Sequence, residues 1–213
     1  LGTEALAALG VGTAALSSIF WVFNFLGIGT QTEVAQAVGR SDGERAARMI
    51  YLALIMALAI GTTMLLMGQP LMRPAAQLLG AQGDVADQAA LYMRIRLLGA
   101  PAVLALLVIF GALRGIQDMR TPLWIALTIN AINMVLDALL IMGTGPIPAL
   151  GIAGVAAASA AAQWVGVIWG LFVIRRVFPR PRGLDLRESR QLLRVGGDLF
   201  VRTAMLNLYL LLT

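Results

Sequence analysis

Asn130, Asn133 and Asp137 stand at i, i+3 and i+7 in an otherwise apolar run. At ~100° per residue they share one face of a helix. A carboxylate flanked by two amides can load and release a proton or hold an organic cation, provided that the face is hidden from hydrocarbon. The run from Pro122 to Met142 has about 21 residues, enough at ~1.5 Å per residue to cross a ~30 Å hydrocarbon core. An acid there costs roughly 2.5 to 3.5 kcal/mol on insertion scales, so it belongs against a bundle interior or a watery cavity. The competing reading is a polar clamp that only holds two helices together.

The elements that must position this face follow from composition. Hydrophobic residues make up 59% of the 213 and charged residues 13%, against about 25% charged in a soluble globular chain. No Asp, Glu, Lys or Arg occurs in 5–32, 49–72, 97–113, 121–136 or 138–174. These stretches predict five spans, over Ala5 to Val38, Ala46 to Met67, Asp84 to Leu113, Pro122 to Met142 and Ile152 to Ile174. Ser41 and Asp42 are the cap candidates for the second span, which Pro70 and Pro74 are expected to end, leaving Leu71 to Leu79 at the interface. Pro101 falls inside the third, where it removes one backbone hydrogen bond and is a hinge candidate, a fixed bend being the alternative.

Further polar residues are patterned. Thr13, Ser17, Asn24 and Gln31 fall within about 40° around the first span if it is one continuous helix. Ser159 and Gln163 are four apart on the fifth span, among small residues that allow close packing. Both sets read either as cavity lining or as glue between helices. Glu33 lies beside the polar turn GRSDGERAAR, where snorkelling or pairing with Arg40 would satisfy it. With no Cys and no His there is no disulfide, thiolate chemistry or Cys/His metal site, and any proton carrier in the segment is a carboxylate. A membrane-embedded enzyme has no support, because no paired intramembrane acids occur.

All 16 basic residues are Arg and the net charge is +5, but they punctuate apolar runs rather than cluster, which excludes nucleic acid as a partner. Arg40, Arg45 and Arg48 follow the first span, Arg114 and Arg120 the third, and a dense run from Arg175 the fifth, whereas the other two connections carry only Arg73. The positive-inside bias puts the Arg-rich connections in the cytoplasm and Asp137, ~22 Å along its helix from Pro122, in the outer half of the membrane. A chain that starts at Leu1 and stops inside an apolar run predicts a fragment of a longer protein with an earlier span missing. Its expected divisions are a transmembrane lobe over 1–174, a cytoplasmic linker over 175–195 and the start of a second lobe over 196–213.

The segments LGTEALAALGVGTA, GIGTQTEVAQAVGRSD, GALRGIQDMRTPL, NAINMVLDALLI and GPIPALGIAGVA resemble the multidrug and toxic compound extrusion (MATE) transporters, particularly their DinF-like branch. The similarity covers essentially the whole chain and corresponds to the second through early seventh spans of a twelve-span fold. It implies an all-α polytopic bundle, the N-terminal lobe of two that enclose a central cavity. It also implies export of cationic or amphipathic drugs and metabolites across a bacterial plasma (inner) membrane by alternating access. Protons would be exchanged for substrate, with sodium as the alternative coupling ion and no cofactor. The implied partners are the lipid bilayer, a small organic cation or amphipath, and the missing C-terminal lobe of the same chain. Asn133 and Asp137 match an Asn/Asp pair, four apart, that assists coupling in some DinF-like members; the first-span carboxylate of that site is absent here. A lipid-linked oligosaccharide flippase of the same superfamily is one alternative, but it would need a basic cavity, and only Arg94 and Arg96 approach the membrane in the five spans. A non-transporting membrane scaffold is the other, and the inward polar residues argue against it.

Overall fold

The computed structural model describes residues 2–143, 148–181 and 183. The second-lobe start, nearly all of the linker beyond 181 and part of the turn after Met142 lie outside the described residues. The helices are α1 (Thr3–Val22), α2 (Asn24–Gly39), α3 (Gly43–Gly68), α4 (Met72–Leu78), α5 (Gly83–Arg96), α6 (Ala100–Gly115), α7 (Arg120–Met142) and α8 (Gly151–Val177). Joined end to end, α1 with α2, α3 with α4 and α5 with α6, they form with α7 and α8 five segments long and apolar enough to cross a membrane among the described residues.

Three of these segments are interrupted. The first, expected as one helix, breaks at Phe23, with φ −86° and ψ 4°. The reason is tertiary: α1 packs on α5 whereas α2 packs on α6 and α3, so the two halves answer to different neighbours. Helix α3 ends at Gly68, just before Pro70, as expected, and the stretch expected at the interface forms a 3-10 turn and the short helix α4, inside which Pro74 falls. Pro70 sits in a three-residue 3-10 turn, Gln69–Leu71, and Pro74 is the third residue of α4. At a helix start the missing N–H is one that would have no partner anyway, so both are tolerated. Pro101 uses the same allowance, standing second in α6 just after the 3-10 turn Leu97–Gly99.

The buried apolar residues form two separate cores. One joins α1, α4 and α5 around Leu16, Met72, Tyr92 and Met93. The other joins α2, α3 and α6 around Val34, Met49, Leu104 and Ile109. Helix α8 enters both, giving Ile152 and Ala156 to the first and Val167 and Ile174 to the second. Close approach depends on glycine. A Cβ on Gly111 of α6 would overlap the Gly27 carbonyl of α2, and one on Gly61 of α3 would overlap Pro101.

Two turns reuse one device. After α2, Ser41 takes φ 59° and the Asp42 N–H donates back to the Ala37 carbonyl at 2.9 Å; after α6, Gln117 takes φ 64° and the Asp118 N–H donates to Leu113 at 3.0 Å. This left-handed residue closes the helix end by satisfying carbonyls that lack intrahelical partners. Each aspartate then caps the next helix, Asp42 Oδ1 accepting from Arg45 N at 2.9 Å and Asp118 Oδ1 from Thr121 N at 3.0 Å. Of the two cap candidates before α3, Asp42 is the cap and Ser41 supplies the turn.

The Thr121 side chain, then the backbone N–H groups of Thr121 and Arg120, hold the Asp118 carboxyl below its ordinary value of 3.8. A depressed carboxyl contributes stability that is present above the ordinary value and lost as pH falls through the lower folded value. Asp118→Ala is therefore expected to cost about 1 kcal/mol at pH 7 and progressively less below pH ~4. Asp118→Asn keeps a cap but removes that pH dependence. Thermal unfolding of detergent-solubilised protein at the two pH values checks both.

Candidate binding site between the helices

Helix α7 packs chiefly on α8. The backbones approach closely where a Cβ on Gly154 of α8 would come 2.8 Å from the Leu140 carbonyl, and a Cβ on Gly166 would overlap the Ile129 side chain. The α8-facing side of α7 carries Ile125, Ile129, Asn133 and Leu140, and at ~100° per residue Asp137 falls at its edge with Asn130 just beyond.

The three polar residues of α7 therefore meet different surroundings. Asn133 Nδ2 donates to Ser159 Oγ on α8 at 3.2 Å. Asn130 is exposed and donates to its own helix at the Ala126 carbonyl, 2.9 Å. Asp137 is half-buried, and its Oδ1 is enclosed without a hydrogen bond. The shared face is thus present, but neither Asn is a hydrogen-bond partner of Asp137, because each amide finds an acceptor nearer its own position on the helix. An enclosed carboxylate oxygen without a donor is costly unless a proton, a cation or a further segment serves it.

One turn along α8 from Ser159, Gln163 Oε1 accepts from Arg96 Nη1 at the end of α5, 2.8 Å away. Trp164 Nε1 donates to the Leu98 carbonyl at 3.1 Å, serving a backbone group of the 3-10 turn. Ser159 and Gln163 thus each tie α8 to a different helix. The residues expected as a stripe on the first span divide at the Phe23 break. On α1, Thr13 lies 3.3 Å from the Tyr92 hydroxyl and Ser17 is exposed; on α2, Asn24 and Gln31 are half-buried. Glu33 is 3% exposed and lies 4.0 Å from Arg45, not against Arg40 as expected, because the turn after α2 brings the start of α3 beside it.

Sequence reasoning missed the Arg96–Gln163 and Thr13–Tyr92 pairs, which join residues 67 and 79 positions apart. The one available signal was a charged residue beside a long apolar run. If the Asn133–Ser159 bond is only an interhelical tie, Ser159→Ala should lower stability by about 0.6 kcal/mol, the size typical of such bonds in membranes. Unfolding in detergent measures that loss, and a transport defect much larger than it would assign Ser159 to the conduit.

Comparison with known proteins places this geometry. The MatE family model matches residues 1–139. "DNA damage-inducible protein F" of Escherichia coli is 32% identical over 211 residues, 95% of this chain and 45% of the relative. "Probable multidrug resistance protein NorM" of Deinococcus radiodurans is 32% identical over 201 residues, 92% of this chain and 44% of the relative. A solved multidrug resistance MATE family transporter of the MOP superfamily, in its inward-facing conformation, superposes with a TM-score of 0.79 at 26% identity, covering 92% of this chain and 45% of that one. The chain spans about half the length of the curated relatives it matches.

Proposed function

The chain belongs to the MatE family, and on that premise we propose that the complete protein exports cationic or amphipathic small molecules across a bacterial inner membrane in exchange for protons. It is a multi-pass membrane protein, and its relatives are transporters. The observation that carries the proposal is Asp137, a carboxylate in a membrane-spanning helix with one oxygen enclosed and no donor to it. Such a residue is the default mark of an ion or substrate path.

In this reading, Asp137 in its ionised form holds the cationic part of the substrate. A proton arriving from outside neutralises the carboxylate, releases the cation and favours return of the lobe to the inward-facing state. Asn133, fixed by Ser159, holds α7 in register against α8 so that Asp137 stays at the rim of the interface. Coupling is thus a competition of proton and cation for one group.

The test uses everted vesicles containing the complete reading frame and an imposed proton gradient. Adding a permanently cationic dye should dissipate the gradient in the absence of sodium. A strict sodium requirement would move coupling away from protons. No dye response in either ion would favour the flippase reading.

A further inference from the structure

The exchange proposed above gives Arg96 no role, yet among the described residues it is the one half-buried arginine held by α8. It ends α5, and the uncharged stretch 97–113 begins immediately after it. Its neighbours in the same hairpin are satisfied near the surface: Arg73 pairs with Asp87 at 2.8 Å, while Arg94 and Gln69 exchange Nε–H and amide hydrogen bonds with each other's carbonyls, both at 3.2 Å. Arg96 has no acidic partner among the described residues. Only its Nη1 is bonded, to Gln163.

A guanidinium has five N–H donors in a planar fork matched to the paired oxygens of a carboxylate or phosphate. Hydrocarbon cannot serve the donors left over, so they require water or an anion. The base of the Arg96 side chain and its one partner are held close against α8. Gly99, three residues on, lies so close to α8 that a Cβ there would be 2.7 Å from the same Gln163 Oε1, and Trp164 clamps the adjoining turn through Leu98.

Arg96 also terminates a row of polar side chains spaced one helical turn apart, in which two interhelical hydrogen bonds alternate with unbonded steps. From Asp137 the row runs one turn down α7 to Asn133, crosses to Ser159, runs one turn along α8 to Gln163 and ends at Arg96. The two helical steps amount to ~12 Å along the bundle. One end carries an acid without a donor, the other a guanidinium without an acid.

We propose that Arg96, oriented by Gln163, is an anion subsite that takes a carboxylate or phosphate group of an amphipathic substrate whose cationic part lies toward Asp137. The substrate class is therefore zwitterionic as well as purely cationic amphipaths. The subsite rests on the export reading above, and its test separates the two.

The probes are tetramethylrhodamine, which bears a free carboxylate, and its methyl ester, which is identical except that this charge is masked. With the complete reading frame in vesicles, the ratio of carboxylate-dye export to ester export is measured for wild type, Arg96→Gln and Arg96→Lys. Arg96→Gln is expected to lower the ratio about tenfold, and Arg96→Lys, which keeps charge but loses the fork, to fall between. An unchanged ratio in Arg96→Gln overturns the subsite. If wild type exports neither dye, the export reading fails, and the subsite is decided by fluorescence anisotropy on purified full-length protein. Tighter binding of the carboxylate dye than of its ester, lost in Arg96→Gln, supports it; equal binding overturns it. Should Arg96→Gln not accumulate, Arg96→Lys and Gln163→Leu carry the same comparison.

Discussion

Asp137→Asn in the complete reading frame is expected to reduce dye-driven dissipation of a proton gradient to the level of empty vesicles while leaving the protein folded. The substitution preserves size and shape, and because Oδ1 takes no hydrogen bond, no described bond is broken. Stability should therefore stay within ~0.5 kcal/mol of wild type, or rise, since an enclosed charge is removed. What disappears is titration: a carboxamide cannot exchange a proton and cannot hold a cation by charge. Asp137→Glu keeps both properties in a longer side chain and should retain part of the coupling. Normal accumulation with unchanged coupling in Asp137→Asn would reduce the residue to a clamp between α7 and α8. Coupling that persists only with sodium would place the ion site elsewhere in the protein.

Gly111→Ala is expected to produce the largest loss of stability of any methyl added to a described glycine. The new Cβ would overlap the backbone carbonyl of Gly27, and a carbonyl inside a helix cannot rotate away as a side-chain tip could. Helices α2 and α6 would have to separate along the interface that builds the core around Val34, Leu104 and Ile109. Overpacking of this kind costs roughly 1 to 3 kcal/mol. Unfolding in detergent should shift down by several degrees, with reduced accumulation in membranes. Gly29→Ala, two residues from Gly27 on the same helix, meets no atom within 4 Å and should show no loss. Equal behaviour of the two variants would mean that α2 and α6 are not held at the observed spacing.

Five membrane-crossing segments were legible in the sequence because charge-free length is a one-dimensional property, and the start of α3 was legible in Asp42 within a polar turn. The family's motifs also lie in contiguous runs. The breaks were not legible in the same way. Phe23 lies in a run as apolar as its flanks, and it yields because α1 and α2 pack against different helices. Pro70 marked the end of α3, but Pro74 also read as a stop, since a sequence does not say whether a proline falls in mid-helix or in the first turn of a new one. At the candidate site, the shared face of Asn130, Asn133 and Asp137 followed from spacing, but their partners did not. Whether an amide bonds a neighbour, as Asn133 does with Ser159, or its own backbone, as Asn130 does, depends on how far round the helix the next one sits. Glu33 shows the same limit: Arg40 is nearer along the chain, but the turn delivers Arg45.

The division of the apolar interior into two cores has a mechanical consequence. A rod cut into two lengths is stiff along each and compliant at the joint, and three of the five crossing segments are cut in this way. Helix α8 is the uncut rod shared by both cores, so it acts as a splint across the joint. Flexure of one storey against the other is resisted mainly there. Gln163 and Trp164 fasten that splint to the jointed span, at Arg96 and at the turn Leu97–Gly99 beside it. Whatever bridges Arg96 and α8 therefore bears on both cores at once.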